Sequence, residues 1–379
     1  MNVVIAMDSF KGSLSSSLAG EAVQEGIKRV YNDAKVTVCP IADGGEGTVE
    51  AMSAIEGSKL QKITVHGPLE KKVEAEYVIT GNTAVIEMSA AAGITLISKN
   101  ELNPLNTTTY GVGEIICDAI KKGCRNFIIG IGGSATNDGG TGMLKALGFK
   151  LTDTNGNEIP KGAKGLEKLY KISTDTVLDV LKSCKFLIAC DVKNPLCGKN
   201  GCSVVFGPQK GATSEMIEEM DGWLRNYAVI VRQINPNADP NLSGAGAAGG
   251  IGFAFSALLN AELKPGIELI MKETNLEEHI KKADLVITGE GRLDGQSAMG
   301  KVPVGVAMLS KKYNKPVIAF AGSVTEDAKT LNQYGIDAFF SILKNICTLE
   351  EAVNTGKAYK NLADTAEQVI RLIKTQKML

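Results

Sequence analysis

Strands alternate with helices at both ends of this 379-residue chain, while the middle switches to a different rhythm. The length exceeds what one ordinary hydrophobic core organises. Together these observations predict an α/β protein of two domains: a discontinuous Rossmann-like parallel-sheet domain, residues 1–65 and 283–379, with a second α/β domain, residues 66–282, inserted in it. Helices placed between strands imply parallel pairing with right-handed crossovers.

The elements follow in order. Val3–Met7 is a short apolar run that reads as a first strand, and Leu14–Tyr31 has helical spacing with serines available as caps. Val36–Ile41 reads as a second strand and Gly45–Ile55 as a second helix. Ile63–Val65, Glu74–Thr80 and Thr83–Met88 then read as an antiparallel meander, with Thr80–Thr83 (TGNT) as a tight turn. The change of period near Val65–Leu69 marks the expected domain boundary. Alternation resumes with helix Thr108–Lys122, buried strand Asn126–Ile131, helix Gly139–Leu147, strand Lys185–Ala189 and the long amphipathic helix Ser214–Ile234, which carries the single Trp223. The small-residue run Ser243–Gly252 leads into the apolar helix Phe253–Leu259 and suits either close backbone packing or approach to a ligand. The last part reads as strand Leu285–Thr288, helix Val302–Tyr313, strands Val317–Ala321 and Ala338–Ser341, and one long helix, Leu349–Lys374.

Composition narrows the function classes. The apolar fraction is 44% and the formal charge −1, with no basic stripe, so binding to nucleic acid through phosphate neutralisation is disfavoured. No apolar run suggests a membrane span, and the N-terminus lacks the features of a signal peptide, so a cytoplasmic location is expected. Of the eight cysteines none forms a CxxC pair, which reads as buried free thiols; Cys197 and Cys202 stand five apart in a glycine-rich loop. With only His66 and His279 available, a zinc site is not expected.

Glycine is the outlier, at 42 of 379 residues, about 11% against roughly 7% on average. The glycines cluster in five polar segments placed where hydrophobic strands should end: Asp8–Ser13, Asp43–Thr48, Gly132–Gly142, Cys190–Ala212 and Gly289–Lys301. Ligands of α/β proteins bind beyond the carboxyl ends of parallel strands, and backbone N–H groups of glycine-rich turns suit anions. In the first segment Lys11 could neutralise a phosphate or carboxylate, and Asp8, beside Ser9, could hold a metal ion or orient the lysine; a charged turn with serine caps is the plainer reading. In the second, Asp43, Gly44, Gly45 and Glu46 exceed what a helix cap requires. The third offers Gly132, Gly133, Ser134, Thr136, Asn137 and Asp138, and matches neither a dinucleotide fingerprint nor a Walker A loop. In the fourth, Asp191 at a strand tip could act as base or metal ligand or bond loop amides, with Asn194 and Gln209 nearby. In the fifth, Glu290, Gly291, Arg292, Asp294, Gln296 and Ser297 crowd together; Arg292 suits bidentate contact with an anion, or an internal ion pair with Glu290 or Asp294.

The segments MDSFKGSLSS, PIADGGEGT, GGSATNDGG, NPLCG…VFGPQKGA, GAGAAGGIGF and TGEGRLDGQS, in this order along nearly the whole chain, resemble the bacterial glycerate kinase family. Cys197 and Cys202 are the unusual feature, in a loop where the family often has small residues. The resemblance implies a two-domain α/β fold with its site in the interdomain cleft, and ATP-dependent phosphorylation of D-glycerate to 2-phosphoglycerate with Mg²⁺; the sequence leaves monomer and homodimer both open. On that reading Lys11 and Arg292 bind the glycerate carboxylate and the transferring phosphoryl group, Asp191 is the base with Asp43 as alternative, and Asp8 and Glu290 position Mg²⁺. A binding or sensor protein without turnover, and a kinase for another hydroxy acid, are the rival readings.

Overall fold

The structure is a computed structural model describing residues 1–376; residues 377–379, assigned above to the first domain, lie outside the described residues. The chain begins β1 (Asn2–Met7), α1 (Ser16–Lys28), β2 (Lys35–Val38) and α2 (Thr48–Ser53). The meander is β3 (Lys59–His66), β4 (Lys72–Thr80) and β5 (Thr83–Glu87), followed by α3 (Ser89–Ala92), α4 (Tyr110–Lys121), β6 (Asn126–Gly130) and α5 (Thr141–Ala146). After them come β7 (Lys150–Thr152), α6 (Ala163–Leu166), β8 (Lys171–Ser173), β9 (Lys185–Ala189), α7 (Cys202–Phe206), α8 (Ser214–Arg232), α9 (Ala247–Leu258) and β10 (Glu262–Lys264). The chain then runs α10 (Gly266–Glu273), α11 (Leu276–Lys281), β11 (Leu285–Leu293), α12 (Val302–Lys311), β12 (Val317–Val324), β13 (Ala338–Ser341), α13 (Leu349–Ala352) and α14 (Thr355–Gln376).

These elements form two compact units. The first contains Met1–Asp43, Glu50–Glu56 and the stretch from Ile267 onward; the second contains Gly44–Val49 and Gly57–Gly266. The first unit's sheet has the order β13-β12-β11-β1-β2 and is wholly parallel. Val3 to Met7 are all buried, as expected when both faces of a parallel strand are covered. Val3, Ile5 and Met7 share a core with Ala19, Val23 and Ile27 of α1 and Leu362, Ala366 and Ile370 of α14. Those two helices approach closely because Gly26 has no side chain: a Cβ there would lie 2.3 Å from the Ala363 carbonyl oxygen. Arg29 fixes their register from the surface, bonding Glu25, Asp364 and Glu367.

The second unit's main sheet has the order β10-β9-β6-β5-β4-β3, parallel except where β4 pairs antiparallel with both neighbours. Phe127 of β6 stacks on Phe186 of β9 at 4.8 Å, and Phe255 of α9 continues the contact. The turn between Thr80 and Thr83 falls where the sequence placed it. Among the described residues, no helix is long and apolar enough to cross a membrane.

Several expectations are corrected. The junctions fall at 43/44, 49/50, 56/57 and 266/267, not near 65 and 283. Residues Ile63–Val65 belong to the second unit because β3 pairs along its length with β4. Helices α10 and α11 belong to the first unit: Ile267 packs where a Gly305 side chain would stand, and Tyr313 donates to Glu277 at 2.5 Å. Strand β11 continues to Leu293, so Gly289–Leu293 is paired with β12 instead of forming a loop. Gly289 allows that extension: a Cβ there would lie 2.1 Å from the Phe320 carbonyl oxygen. The C-terminal helix is two helices, the second capped by Asn354, whose side chain accepts from the Lys357 N–H. The small-residue run at the start of α9 packs against backbone: Ala248, Gly249 and Gly250 all take positive φ, and a Cβ on Gly249 would lie 2.1 Å from the Thr136 carbonyl oxygen. All eight cysteines are free, and Cys347 is exposed instead of buried.

Candidate active site

In the first unit the parallel pairing of β1 with β11 brings Asp8, just past the end of β1, near Glu290 within β11. Met7 is in register with Gly289, and the Asp8 N–H continues the ladder to the Gly289 carbonyl at 2.9 Å. Asp8 and Glu290 are both buried. Burial first, then the nearby Asp43 and Glu290 charges, push the Asp8 carboxyl up to about 7; the Ser9 N–H, donating at 2.7 Å, and Lys11 pull the other way. Burial also raises Glu290, against a 2.5 Å hydrogen bond from the Ser297 hydroxyl and the Lys301 ammonium at 3.6 Å. Ser297 thus positions an acid within the protein. Lys11 is exposed, and so is Gln296. Arg292 is exposed but holds the internal ion pair, with Asp294 at 3.2 Å. Asp294 caps the short turn that follows, accepting from the Gln296 N–H at 3.0 Å.

The second unit gathers glycine backbone at the carboxyl ends of β6 and β9. Gly44 takes φ +88°, and a Cβ there would lie 2.3 Å from the Ala189 Cβ; one on Gly130 would lie 1.9 Å from the Gly44 carbonyl oxygen. Gly132 lies beside Gly45, at 3.4 Å by the same measure. The segment from Asp43 to Glu46 therefore contributes an acid to the first unit and glycine backbone to the second. Glu46 is exposed. The start of α2 is served by Glu87, at the end of β5, which accepts from the Val49 N–H at 2.7 Å. Sequence reasoning passed over Glu87; its signal was an acid closing the apolar run TAVI.

The loop after β6 divides sharply. Gly132 and Gly133 are exposed, and Gly133 takes φ +72°, whereas Ser134 through Asp138 are buried. Asp138, fully buried, accepts from the Thr109 N–H and hydroxyl (2.9 Å each), the Gly140 N–H (3.0 Å) and the Gly142 N–H (3.2 Å). Burial pushes its pKa up; the four donors favour its charge. Asn137 donates to the Ser203 hydroxyl at 2.9 Å. Thr136, Asn137 and Asp138 thus face the protein interior, where the sequence had placed ligand donors. Beneath them Lys210, 1% exposed, donates to the Ser134 hydroxyl at 2.8 Å and the Thr136 carbonyl at 2.6 Å. The sequence singled out its neighbour Gln209, which is exposed.

Asp191 stands exposed just past the tip of β9, and one of its oxygens accepts from Gly266 N–H, the first residue of α10, at 3.1 Å. Asn194 is turned into its own loop, donating to the Asn200 carbonyl at 2.8 Å.

Asp8, on which the Asp43 and Glu290 charges act, offers carboxylate oxygen of the kind a hard divalent cation takes, and such an ion would relieve that repulsion. Among the described residues, no group of three or more His, Cys, Asp or Glu side chains could hold a metal ion. Magnesium is commonly bound by one or two carboxylates together with substrate phosphates.

An α/β framework with acids, lysines and exposed glycine turns at strand ends is the equipment of a phosphotransferase. The comparisons specify which. The profile described as the glycerate kinase family matches residues 3–374. A protein of Escherichia coli K12 named glycerate 2-kinase is 50% identical over 372 residues, covering 96% of this chain and 98% of its own. A glycerate kinase of Halalkalibacterium halodurans is 45% identical, covering 95% of this chain and 97% of its own. A crystal structure of a candidate glycerate kinase 2 from Salmonella typhimurium LT2 superposes with a TM-score of 0.91 at 46% identity, covering all of both chains. The chain belongs to the glycerate kinase family.

Proposed function

We propose that the protein transfers the γ-phosphoryl group of ATP to the 2-hydroxyl of D-glycerate, with Mg²⁺, giving 2-phosphoglycerate and ADP. The observation that carries a phosphoryl-transfer reading is the coupling of the Asp8, Asp43 and Glu290 charges, with Lys11 acting on Asp8 and Lys301 paired to Glu290. The substrate follows from the full-length likeness to a protein named glycerate 2-kinase. Phosphoryl transfer asks a protein chiefly for positioning and charge stabilisation.

Lys11 and Arg292 attract the anionic ends of the two substrates, Arg292 exchanging its bond to Asp294 for one to the ligand. Gly132 and Gly133 offer backbone N–H groups to an anionic oxygen group. Asp191 takes the proton of the attacking hydroxyl, its orientation fixed by the Gly266 N–H. Asp8 and Glu290 would help hold Mg²⁺ together with substrate phosphate, and the ion would neutralise phosphate charge. The test is ADP release from Mg-ATP with a panel of small hydroxy acids, with phosphorus NMR of the product. Turnover with D-glycerate giving 2-phosphoglycerate supports the proposal. Turnover only with a different hydroxy acid replaces the substrate, and the 3-phosphate product replaces the position.

A further inference from the structure

Lys210 is a costly residue to have where it is. Its ammonium group is buried, and burial disfavours a charge unless partners compensate it. Its hydrogen bonds go to a hydroxyl and a carbonyl, those of Ser134 and Thr136, which accept without cancelling charge. The charged and titratable groups that act on it are Asp138 and Cys202. Asp138 spends both carboxylate oxygens on Thr109, Gly140 and Gly142, and Cys202 is held neutral because burial pushes its thiol up to about 11. The bonds of Lys210 fall on the two residues bracketing Ala135, immediately after the exposed Gly132–Gly133 turn. In a medium less polarisable than water, a buried charge acts over several ångströms with little screening.

We infer that Lys210 is a positioning residue for an anionic oxygen group, phosphoryl or carboxylate, seated on the Gly132–Gly133 turn: it clamps the turn through Ser134 and Thr136 and supplies positive potential from below. This rests on the reading above that the turn receives such a group. A lysine used only as a brace would leave ligand affinity independent of its charge. Burial pulls the Lys210 ammonium down to about 8, so its charge can be removed by pH while the side chain stays in place.

Titration calorimetry of the intact protein decides the matter, with ATP and D-glycerate as separate ligands, at pH 7 and pH 9.5, for wild type and Lys210→Met. The expected result is at least a tenfold loss of affinity in the variant for one ligand and less than twofold for the other; the affected ligand names the source of the anion. The same ligand should bind the wild type about tenfold more weakly at pH 9.5 than at pH 7, and the variant should show no such dependence. Equal affinities in both proteins, or equal losses for both ligands without pH dependence, would overturn the inference. If the variant does not fold, the wild-type titration decides alone, and constant affinity from pH 7 to 9.5 overturns it. Failure of both ligands to bind wild type would sink the kinase reading itself, whereas binding indifferent to Lys210 sinks only this inference.

Discussion

Replacing Asp138 by asparagine tests whether this acid holds the protein or the substrate. Its Oδ2 accepts from the Thr109 N–H, the Thr109 hydroxyl and the Gly142 N–H, and its Oδ1 from the Gly140 N–H. An asparagine can keep its carbonyl oxygen facing the first three and must then turn its NH₂ toward the Gly140 N–H. Three charge-assisted bonds become neutral ones, a loss of roughly 1 kcal/mol each. The stranded N–H costs about 1–3 kcal/mol more. Removing a buried charge offsets part of this. A net destabilisation of ~3 kcal/mol follows, equivalent to about 1 M in the urea midpoint at slopes of a few kcal/mol per molar. The single tryptophan, Trp223, lies in α8 of the same unit and reports that unfolding by fluorescence. The reasoning fails if Asp138→Asn unfolds at the wild-type midpoint, and fails in a telling way if turnover then collapses more than a hundredfold.

Asp191→Asn should lower kcat about 10²-fold or more in the glycerate assay with an unchanged urea midpoint, the loss typical of a removed general base; near-normal turnover would take Asp191 out of that role. Asp8 gives a pH prediction for the metal-free protein. Its folded pKa, about 7, lies above the unfolded value near 3.9, so the folded state binds more protons between them. Its contribution to stability is therefore complete below about pH 4 and lost as pH rises through 7, amounting to at most ~4 kcal/mol. Asp8→Asn should flatten the decline in urea midpoint from pH 5 to pH 8, and identical slopes in both proteins would refute the assignment. Gly130→Ala puts a Cβ 1.9 Å from the Gly44 carbonyl oxygen and should cost ~3 kcal/mol, read by the same fluorescence unfolding.

Glycine placement was legible in the sequence because strand ends and tight turns announce themselves locally; what the glycines were for was not. Gly289 and Gly291 read as loop residues, since nothing nearby shows that β12 will approach along that stretch. Ala248–Gly250 could equally have served a ligand, and the carbonyl of Thr136, more than a hundred residues earlier, settles it as close packing.

The sequence by itself determined the alternation of strands and helices, the parallel sheet at the chain's two ends, the meander with its Thr80–Thr83 turn, and the family, because each is written in local periodicity or in contiguous motifs. The tertiary structure alone decided which polar residues face inward. Thr136, Asn137 and Asp138 stand in the same motif as Gly132 and Gly133, yet α4, α7 and α8 close over the first three and leave the glycines exposed. Lys210 and Gln209 are neighbours with opposite fates for the same reason. Burial and charge coupling depend on partners far apart in the chain: Asp8 owes its raised pKa in part to Glu290, brought beside it by the pairing of β1 with β11.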